Sequence, residues 1–379
     1  MQYQSTVFGQ LLKALPRGCF ERLAREHMTG RRKRELSDWG HLVAMIFAQA
    51  GGARSLRDLE RLFERHRGIG VHLGLGKVKR STLADANGTR PAALFETVAR
   101  HLSAQLGQKA GRRETVRLID ATHFLAGRRI AQWSGNGGIK LHMMYELGSD
   151  RPVCFAITPK RINDTVAAQA MPVEPGATYV FDKGYYHFAF WAKIDACGGR
   201  FVTRLKINSP VRISARREVK AGGSILFDHT GYLNERLMSQ RHNPYAKPLR
   251  VIGVRLDNTR QITLVSNDLD SPAEDIAALY KLRWQIELFF KWIKQNLKLG
   301  HFLGTSRNAA IIQIMAALIA YMLMRIATLQ AKANIGLQAT ARLIQAMLLT
   351  RRHINDVFRP PPKPQPPPQN QLTLWTSHA

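Results

Sequence analysis

The spacing of apolar residues predicts a helical first part of the chain. From Phe8 to about Leu106, apolar side chains recur every three or four positions in segments such as SLRDLERLF and ALFETVARHLSAQLG, which gives a helix one buried face. Ser37 and Ser55 precede two of these segments and are N-cap candidates. The pattern therefore predicts an all-helical N-terminal domain over residues 1–110.

After residue 110 the pattern changes to short β-rich runs. TVRLID, GIKLHMMYEL, PVCFAITP, TYVF and RFVTRL are separated by turn residues and by one helical segment, HFAFWAKIDACGG. Such alternation is typical of an α/β domain whose sheet is covered by helices. The following RISARREVKAGGSILFDHTG, LRVIGVRL and QITLVSN carry no helical period and predict a β-rich insertion. The predicted fold class is therefore multidomain α/β.

A later stretch, which starts at Leu279 and has the pattern of a helix, carries an unusual polar set. At about 100° per residue, Tyr280, Arg283, Glu287 and Lys294 fall within an arc of about 60° beside the apolar face. The apolar arc holds Leu282, Ile286, Phe289, Phe290, Ile293 and Leu297. The polar set therefore lines the edge of the buried face. Arg283 and Glu287 are also spaced for an i,i+4 ion pair, which is the alternative explanation of their positions.

Charge narrows the partner class. The 379 residues include 56 Lys and Arg against 27 Asp and Glu, a formal net charge of +29 with a pI near 10.8. This surplus attracts polyphosphates through counterion release. Nucleic acid is the first partner to consider, although a ribosomal or architectural protein, or one that binds an anionic membrane surface, would share the charge.

Cysteine usage and hydropathy indicate a cytoplasmic protein. Cys19, Cys154 and Cys197 lack metal-ligand spacing, which fits a reducing compartment. The apolar run from Ala309 to Met324 is short of a membrane span and contains Gln313. We therefore expect a buried core helix there, no membrane partner, and no secretory signal.

Three carboxylates have the positions that metal-dependent chemistry needs. Asp120 lies within or just after one predicted strand and Asp182 just after another, at the sheet edge where α/β proteins bind ligands. Glu287 on the polar helix arc would complete an all-oxygen set, which suits Mg²⁺ or Mn²⁺. A basic protein with such a site suggests two-metal phosphodiester chemistry. The alternative for each aspartate alone is a helix cap or a turn.

These residues resemble a known family. The helix matches the Tyr-x2-Arg-x3-Glu-x6-Lys signature of the DDE transposases of the insertion-sequence-four family. LIDATHF resembles that family's first aspartate block, FDKGYY its second, and KLGHFLGTS the segment after its glutamate helix. The opening FGQLLKALPRGCFERLAREH resembles its helical N-terminal domain. The resemblance extends to about Leu349.

The resemblance implies a ribonuclease-H-like catalytic core, a mixed sheet flanked by helices, interrupted by the β-rich insertion and preceded by the helical domain. The implied boundaries are 1–110 for the DNA-binding helical domain, 111–207 and 271–350 for the two parts of the core, 208–270 for the insertion, and 351–379 for a proline-rich flexible tail.

The resemblance also implies the chemistry. Asp120, Asp182 and Glu287 would be catalytic and would bind Mg²⁺ or Mn²⁺, as two ions. Tyr280 and the two cations Arg283 and Lys294 would hold the DNA backbone. The enzyme would cut double-stranded DNA at the terminal inverted repeats of an insertion sequence and join the freed 3′-hydroxyl to target DNA, as a dimer or higher assembly in a synaptic complex. It would be a bacterial cytoplasmic protein, associated with the nucleoid through DNA.

Other positions are less constrained by the motif. The family's His-Asp pair between the two aspartates is Asn163-Asp164 here. Lys140 and His142 alternate on one predicted strand and share a face, so they could approach the site and DNA, with a packed or solvated pair as the alternative. Trp133 and Trp284 are candidates for stacking on a flipped or unpaired base, with core or rim packing as the alternative.

Two rival functions remain open on the sequence. A ribonuclease-H-like nuclease would cut without joining, and a domesticated or inactive relative would only bind DNA. The set around Glu287 resembles transposases in particular, and the three acidic positions are intact.

Overall fold

The computed structural model describes residues 5–27, 36–110, 115–125, 138–207, 209–235, 242–257, 259–297, 299 and 302–359. Trp133 and the proline-rich segment from Pro360 onward lie outside these residues, so the predictions for them stay predictions.

The first part of the described chain is helical, as predicted. Serine caps fix two of its helices: the Ser37 hydroxyl accepts the Gly40 amide at 2.9 Å, and the Ser55 hydroxyl accepts the Asp58 amide at 3.1 Å. A short 3-10 turn covers Arg25–His27. The helices are α1 (Val7–Leu12), α2 (Arg17–Ala24), α3 (Asp38–Ala50), α4 (Leu56–Arg65), α5 (Arg67–His72), α6 (Arg80–Thr89) and α7 (Ala92–Ala110).

All nine described strands form one mixed sheet. The strands are β1 (Val116–Leu125), β2 (Gly138–Glu146), β3 (Arg151–Pro159), β4 (Thr178–Phe181), β5 (Arg200–Arg204), β6 (Val211–Arg217), β7 (Ile225–Leu233), β8 (Leu249–Arg255) and β9 (Gln261–Ser266). Their order in the sheet is β3-β2-β1-β4-β5-β9-β8-β7-β6. β1 is parallel to β4 and β4 to β5, whereas every other neighbouring pair is antiparallel.

The predicted β-rich insertion continues this sheet. β9 pairs antiparallel with β5, from Val202↔Ser266 to Arg204↔Leu264, and β8, β7 and β6 follow outward. The reason is that β5 would otherwise leave a row of unpaired backbone groups at the edge of the sheet. The segment therefore adds four strands to the sheet instead of building a second one.

Helices cover both faces of the sheet. The later helices are α8 (Asp164–Ala170), α9 (Phe188–Ala196), α10 (Ala273–Leu282), α11 (Trp284–Asn296), α12 (Arg307–Gln330), α13 (Leu337–Met347) and α14 (Ile354–Val357). Tyr179, Phe181 and Phe201 pack on one face with apolar residues of α8 and α9. Val180 and Val202 alternate with them and join the larger core on the other face, with α10, α11 and α12.

Helix α12 is the centre of the larger core. Among the described helices it alone is long and apolar enough to cross a membrane, and 89% of its apolar window is buried inside the protein, as expected for a core helix. α3 and α7 pack against it, and their apolar residues belong to the same cluster. The N-terminal helices therefore share a core with the second half of the chain.

Candidate active site

The strand register brings the two aspartates together. β1 and β4 pair in parallel from Val116↔Thr178 to Ile119↔Phe181, so Asp120 and Asp182 are the residues that follow the last parallel pair, Asp182 directly after the end of β4. The sequence predicted that Asp120 lies at the end of a strand, but β1 continues to Leu125 because β2 pairs with it that far. Asp120 is thus at the end of the parallel pairing and in the middle of its strand.

Glu287 reaches the same edge from α11. This helix packs against β1 and is anchored by Ile286, Phe289 and Ile293, which are buried as the apolar arc predicted. Half-buried Glu287 lies beside the buried stripe. At the other end of α11, the Lys294 ammonium lies 5.4 Å from the centre of the Phe124 ring on β1.

The predicted single helix from Leu279 is two helices in the structure. Arg283 separates α10 from α11, and the local hydrogen bonds there span three residues: the Arg283 amide donates to the Tyr280 carbonyl at 3.1 Å, and the Ile286 amide donates to the Arg283 carbonyl at 3.2 Å. The junction leaves Tyr280 on one helix and Glu287 on the next.

Arg283 and Tyr280 tie the carboxylates to the helices. Arg283 Nη1 lies 2.6 Å from Glu287 Oε1 and 3.6 Å from Asp120 Oδ2. The Tyr280 hydroxyl donates to Asp182 Oδ1 at 3.3 Å, and burial raises the pKa of that hydroxyl. The i,i+4 ion pair anticipated from the sequence is therefore present, and it is part of a contact network that reaches all three acids.

The electrostatics of Asp120 are those of a buried acid among other acids. Burial raises its pKa to about 6; the Ala121 amide and Arg283 oppose the rise, whereas Glu287 and Asp182 add to it. A carboxyl group with this environment favours the arrival of a cation, because a cation offsets both the burial and the mutual repulsion.

The donor set fits a hard divalent cation by its chemistry, since it consists of carboxylate oxygens. Within the described part of the chain, however, no three His, Cys, Asp or Glu side chains are gathered closely enough to hold one metal ion. The guanidinium of Arg283 contacts two of the carboxylates, and it supplies positive charge that a metal ion would otherwise provide.

Lys140 and His142 share one face, as predicted, but that face is turned away from Asp120. They pair across the sheet with His123 and Ala121, whose side chains alternate with that of Asp120. Both are buried. Of the two alternatives from the sequence, the register and the burial therefore agree with the packed pair and not with an approach to the acids, while direct contact with DNA stays a prediction.

Asp164 accounts for this buried pair. The Lys140 ammonium donates to Asp164 Oδ1 and to the Ile162 carbonyl, each at 2.8 Å, and His142 Nδ1 lies 3.6 Å from the same carboxylate oxygen. Burial lowers the pKa of His142 to about 4. Residue spacing carries no signal for this contact, because the contact joins β2 to the first turn of α8.

Trp284 is the one candidate stacking residue within the described chain. The residue is 57% exposed at the start of α11, next to Arg283. Core packing therefore does not account for this tryptophan, and base stacking and packing at the rim of the core are the two alternatives that remain.

Comparison with known proteins gives the family. A family model described as a transposase DDE domain matches residues 111–323, and one described as a domain of unknown function (DUF4372) matches residues 3–76. The transposase y4zB of Sinorhizobium fredii is 39% identical over 285 residues, which are 74% of this chain and 80% of that protein.

Two further similarities are weaker. The transposase for insertion sequence element IS5377 of Geobacillus stearothermophilus is 29% identical over 218 residues, covering 55% of this chain and 56% of that one. The piggyBac transposase, in a synaptic complex with hairpin DNA, aligns with a TM-score of 0.45 and 12% identity over 91% of this chain and 79% of that chain, which does not establish a common fold. The family-model match and the y4zB similarity, together with the helix signature, show that this chain belongs to the DDE transposases of insertion sequences.

Proposed function

We propose that this transposase cuts double-stranded DNA at the ends of its insertion sequence and joins the 3′-hydroxyl to target DNA, with Asp120, Asp182 and Glu287 as the catalytic carboxylates. The observation that carries the proposal is their convergence from three separate elements: two strands that end their parallel pairing side by side, and a helix linked to Asp120 through Arg283.

The three carboxylates would hold Mg²⁺ or Mn²⁺, as two ions. When bound, these ions lower the pKa of a nucleophilic oxygen and stabilise the leaving oxygen of phosphodiester transfer. The protein's own contribution is to bury Asp120, so that its charge is poorly solvated, and to keep Asp182 oriented through the Tyr280 hydroxyl. A carboxylate held in this way loses little entropy on binding a cation.

The DNA backbone is the proposed partner of Tyr280, Arg283 and Lys294. The forked guanidinium of Arg283 suits phosphate oxygens, whereas Lys294 acts as a point charge. Lys140 and His142 would act indirectly, from the face of the sheet opposite Asp120. Their contacts with Asp164 would hold α8 against β2.

The order of the first five strands, β3-β2-β1-β4-β5, in which β2 runs antiparallel to the other four, supports a ribonuclease-H-like core. The partners follow from the charge of +29: terminal inverted repeats and target DNA, bound in a salt-dependent way. A dimer or higher assembly would bring two element ends together.

The test is cleavage and joining of a duplex that carries the inverted repeat flanking the gene, with Mg²⁺ present. Asp182→Asn should lower both activities by about 10³-fold or more, because it removes one carboxylate charge, while DNA binding persists. Asp275→Asn is the matched control, since Asp275 is an exposed aspartate in the first turn of α10, and it should behave like the wild type.

The outcomes separate the rival functions. Cleavage without joining would mark a nuclease. Binding by the wild type with no metal-dependent chemistry would mark a protein that only binds DNA. Full activity of Asp182→Asn would refute the assigned site.

A further inference from the structure

Arg283 lies between two of the proposed metal ligands. Its Nη1 atom is 2.6 Å from Glu287 Oε1 and 3.6 Å from Asp120 Oδ2, and its side chain is only 17% exposed. One oxygen of each carboxylate, Asp120 Oδ2 and Glu287 Oε1, faces this guanidinium, so a metal ion that bound these two oxygens would have to displace it. Arginine and metal therefore compete for the same carboxylates.

The guanidinium is incompletely satisfied where it lies. Its Nε–H is buried and has no hydrogen-bond partner among the described residues, although a guanidinium offers five donors. An unpaired buried donor raises the free energy of this arrangement. A phosphate group, which accepts forked hydrogen bonds from arginine, would be a better partner than one carboxylate at 2.6 Å and another at 3.6 Å.

We propose that Arg283 is an exchangeable counter-ion. In the DNA-free protein its guanidinium neutralises Asp120 and Glu287 and thereby weakens metal binding by these carboxylates. A DNA phosphate group displaces the guanidinium from them, so that DNA binding strengthens metal binding and metal binding strengthens DNA binding. The proposal rests on the proposed function, because it assumes that these acids are the metal ligands. Thermodynamic linkage requires the effect to be reciprocal. The arrangement would limit metal-loaded protein in the absence of DNA.

The test measures Mn²⁺ affinity of the full chain without DNA, from the loss of the free-ion signal in electron paramagnetic resonance. Arg283→Gln should bind Mn²⁺ about tenfold more tightly than the wild type, because it removes a positive charge in contact with the ligands. Arg283→Lys should fall between them, since it keeps the positive charge but carries it on a more strongly hydrated ammonium group that replaces the planar guanidinium only in part. This second variant also serves if the glutamine variant fails to fold.

Lys291→Gln is the matched control. Lys291 stands one helical turn after Glu287, as Arg283 stands one turn before it, and it is exposed. The Lys291→Gln variant removes the same charge from a residue that forms no ion pair with Asp120 or Glu287. Its Mn²⁺ affinity should therefore differ from that of the wild type much less than the affinity of Arg283→Gln does. A mixed-sequence DNA duplex should tighten Mn²⁺ binding in the wild type and have little effect in Arg283→Gln.

Equal Mn²⁺ affinities of Arg283→Gln, Lys291→Gln and wild type would overturn the counter-ion proposal. If Glu287→Gln nevertheless lost Mn²⁺ binding, the proposed metal site would still hold, without a counter-ion role for Arg283. If instead Glu287→Gln bound Mn²⁺ like the wild type, or no variant bound the ion, both the counter-ion and the assigned metal site would be refuted.

Discussion

Replacing Asp120 by asparagine should stabilise the metal-free protein at neutral pH. Burial raises the pKa of this carboxyl from 3.8 to about 6, so keeping it ionised in the folded state opposes folding. A shift of about two pKa units corresponds to about 3 kcal/mol of unfolding free energy. Asparagine keeps the shape and cannot ionise, so the variant avoids this cost.

The direction of the pKa shift of Asp120 sets the pH range in which the stability of the wild type changes. Because the folded pKa lies above the unfolded one, the folded wild type binds more protons between pH 4 and pH 6. Its stability from this group is fully present below the unfolded pKa of 3.8 and is lost as the pH rises through about 6. The variant does not titrate there. The stability difference between variant and wild type should therefore grow with pH across this window and level off above it.

The assay is urea unfolding of both proteins in EDTA at a series of pH values from below 4 to above 7, followed by circular dichroism. Asp275→Asn is the control for a charge removed from an exposed site, and its difference from the wild type should stay within about 0.5 kcal/mol at every pH. A difference for Asp120→Asn that does not change with pH would refute the reasoning about burial.

Two further predictions concern the sheet that supports the site. Asp228→Ala should cost about 3 to 5 kcal/mol of unfolding free energy. Asp228 and Arg250 form a buried ion pair, so the variant leaves the Arg250 guanidinium buried without its carboxylate partner. An unchanged urea midpoint would contradict this. Gly253→Ala should cost about 1 to 3 kcal/mol, since its Cβ would lie 2.3 Å from the Phe227 ring. Gly88→Ala, in α6 with open space around it, should instead be neutral or stabilising by up to about 1 kcal/mol, and equal losses in the two glycine variants would refute the packing argument.

The sequence alone was sufficient for features that depend on near neighbours. The serine caps of α3 and α4, the apolar face of α11 and the Arg283–Glu287 pair follow from spacings of three or four residues, because helix geometry is set locally. The family was also recognisable from such a spacing. The prediction missed the boundary between α10 and α11, because a short interruption of the helix at Arg283 leaves the spacing of apolar and polar residues almost unchanged.

Only the tertiary structure decided how distant segments meet. The register of β1 with β4 makes Asp120 and Asp182 neighbours, and the register of β1 with β2 turns Lys140 and His142 to the opposite face. A shift by one residue would reverse either result, because side chains alternate across a strand. Likewise, the strands of the predicted insertion joined the existing sheet through β5 and β9. Pairing between strands far apart in the chain has no local signature. The sequence could therefore identify the three acidic residues, whereas only the tertiary structure could show that they lie close together.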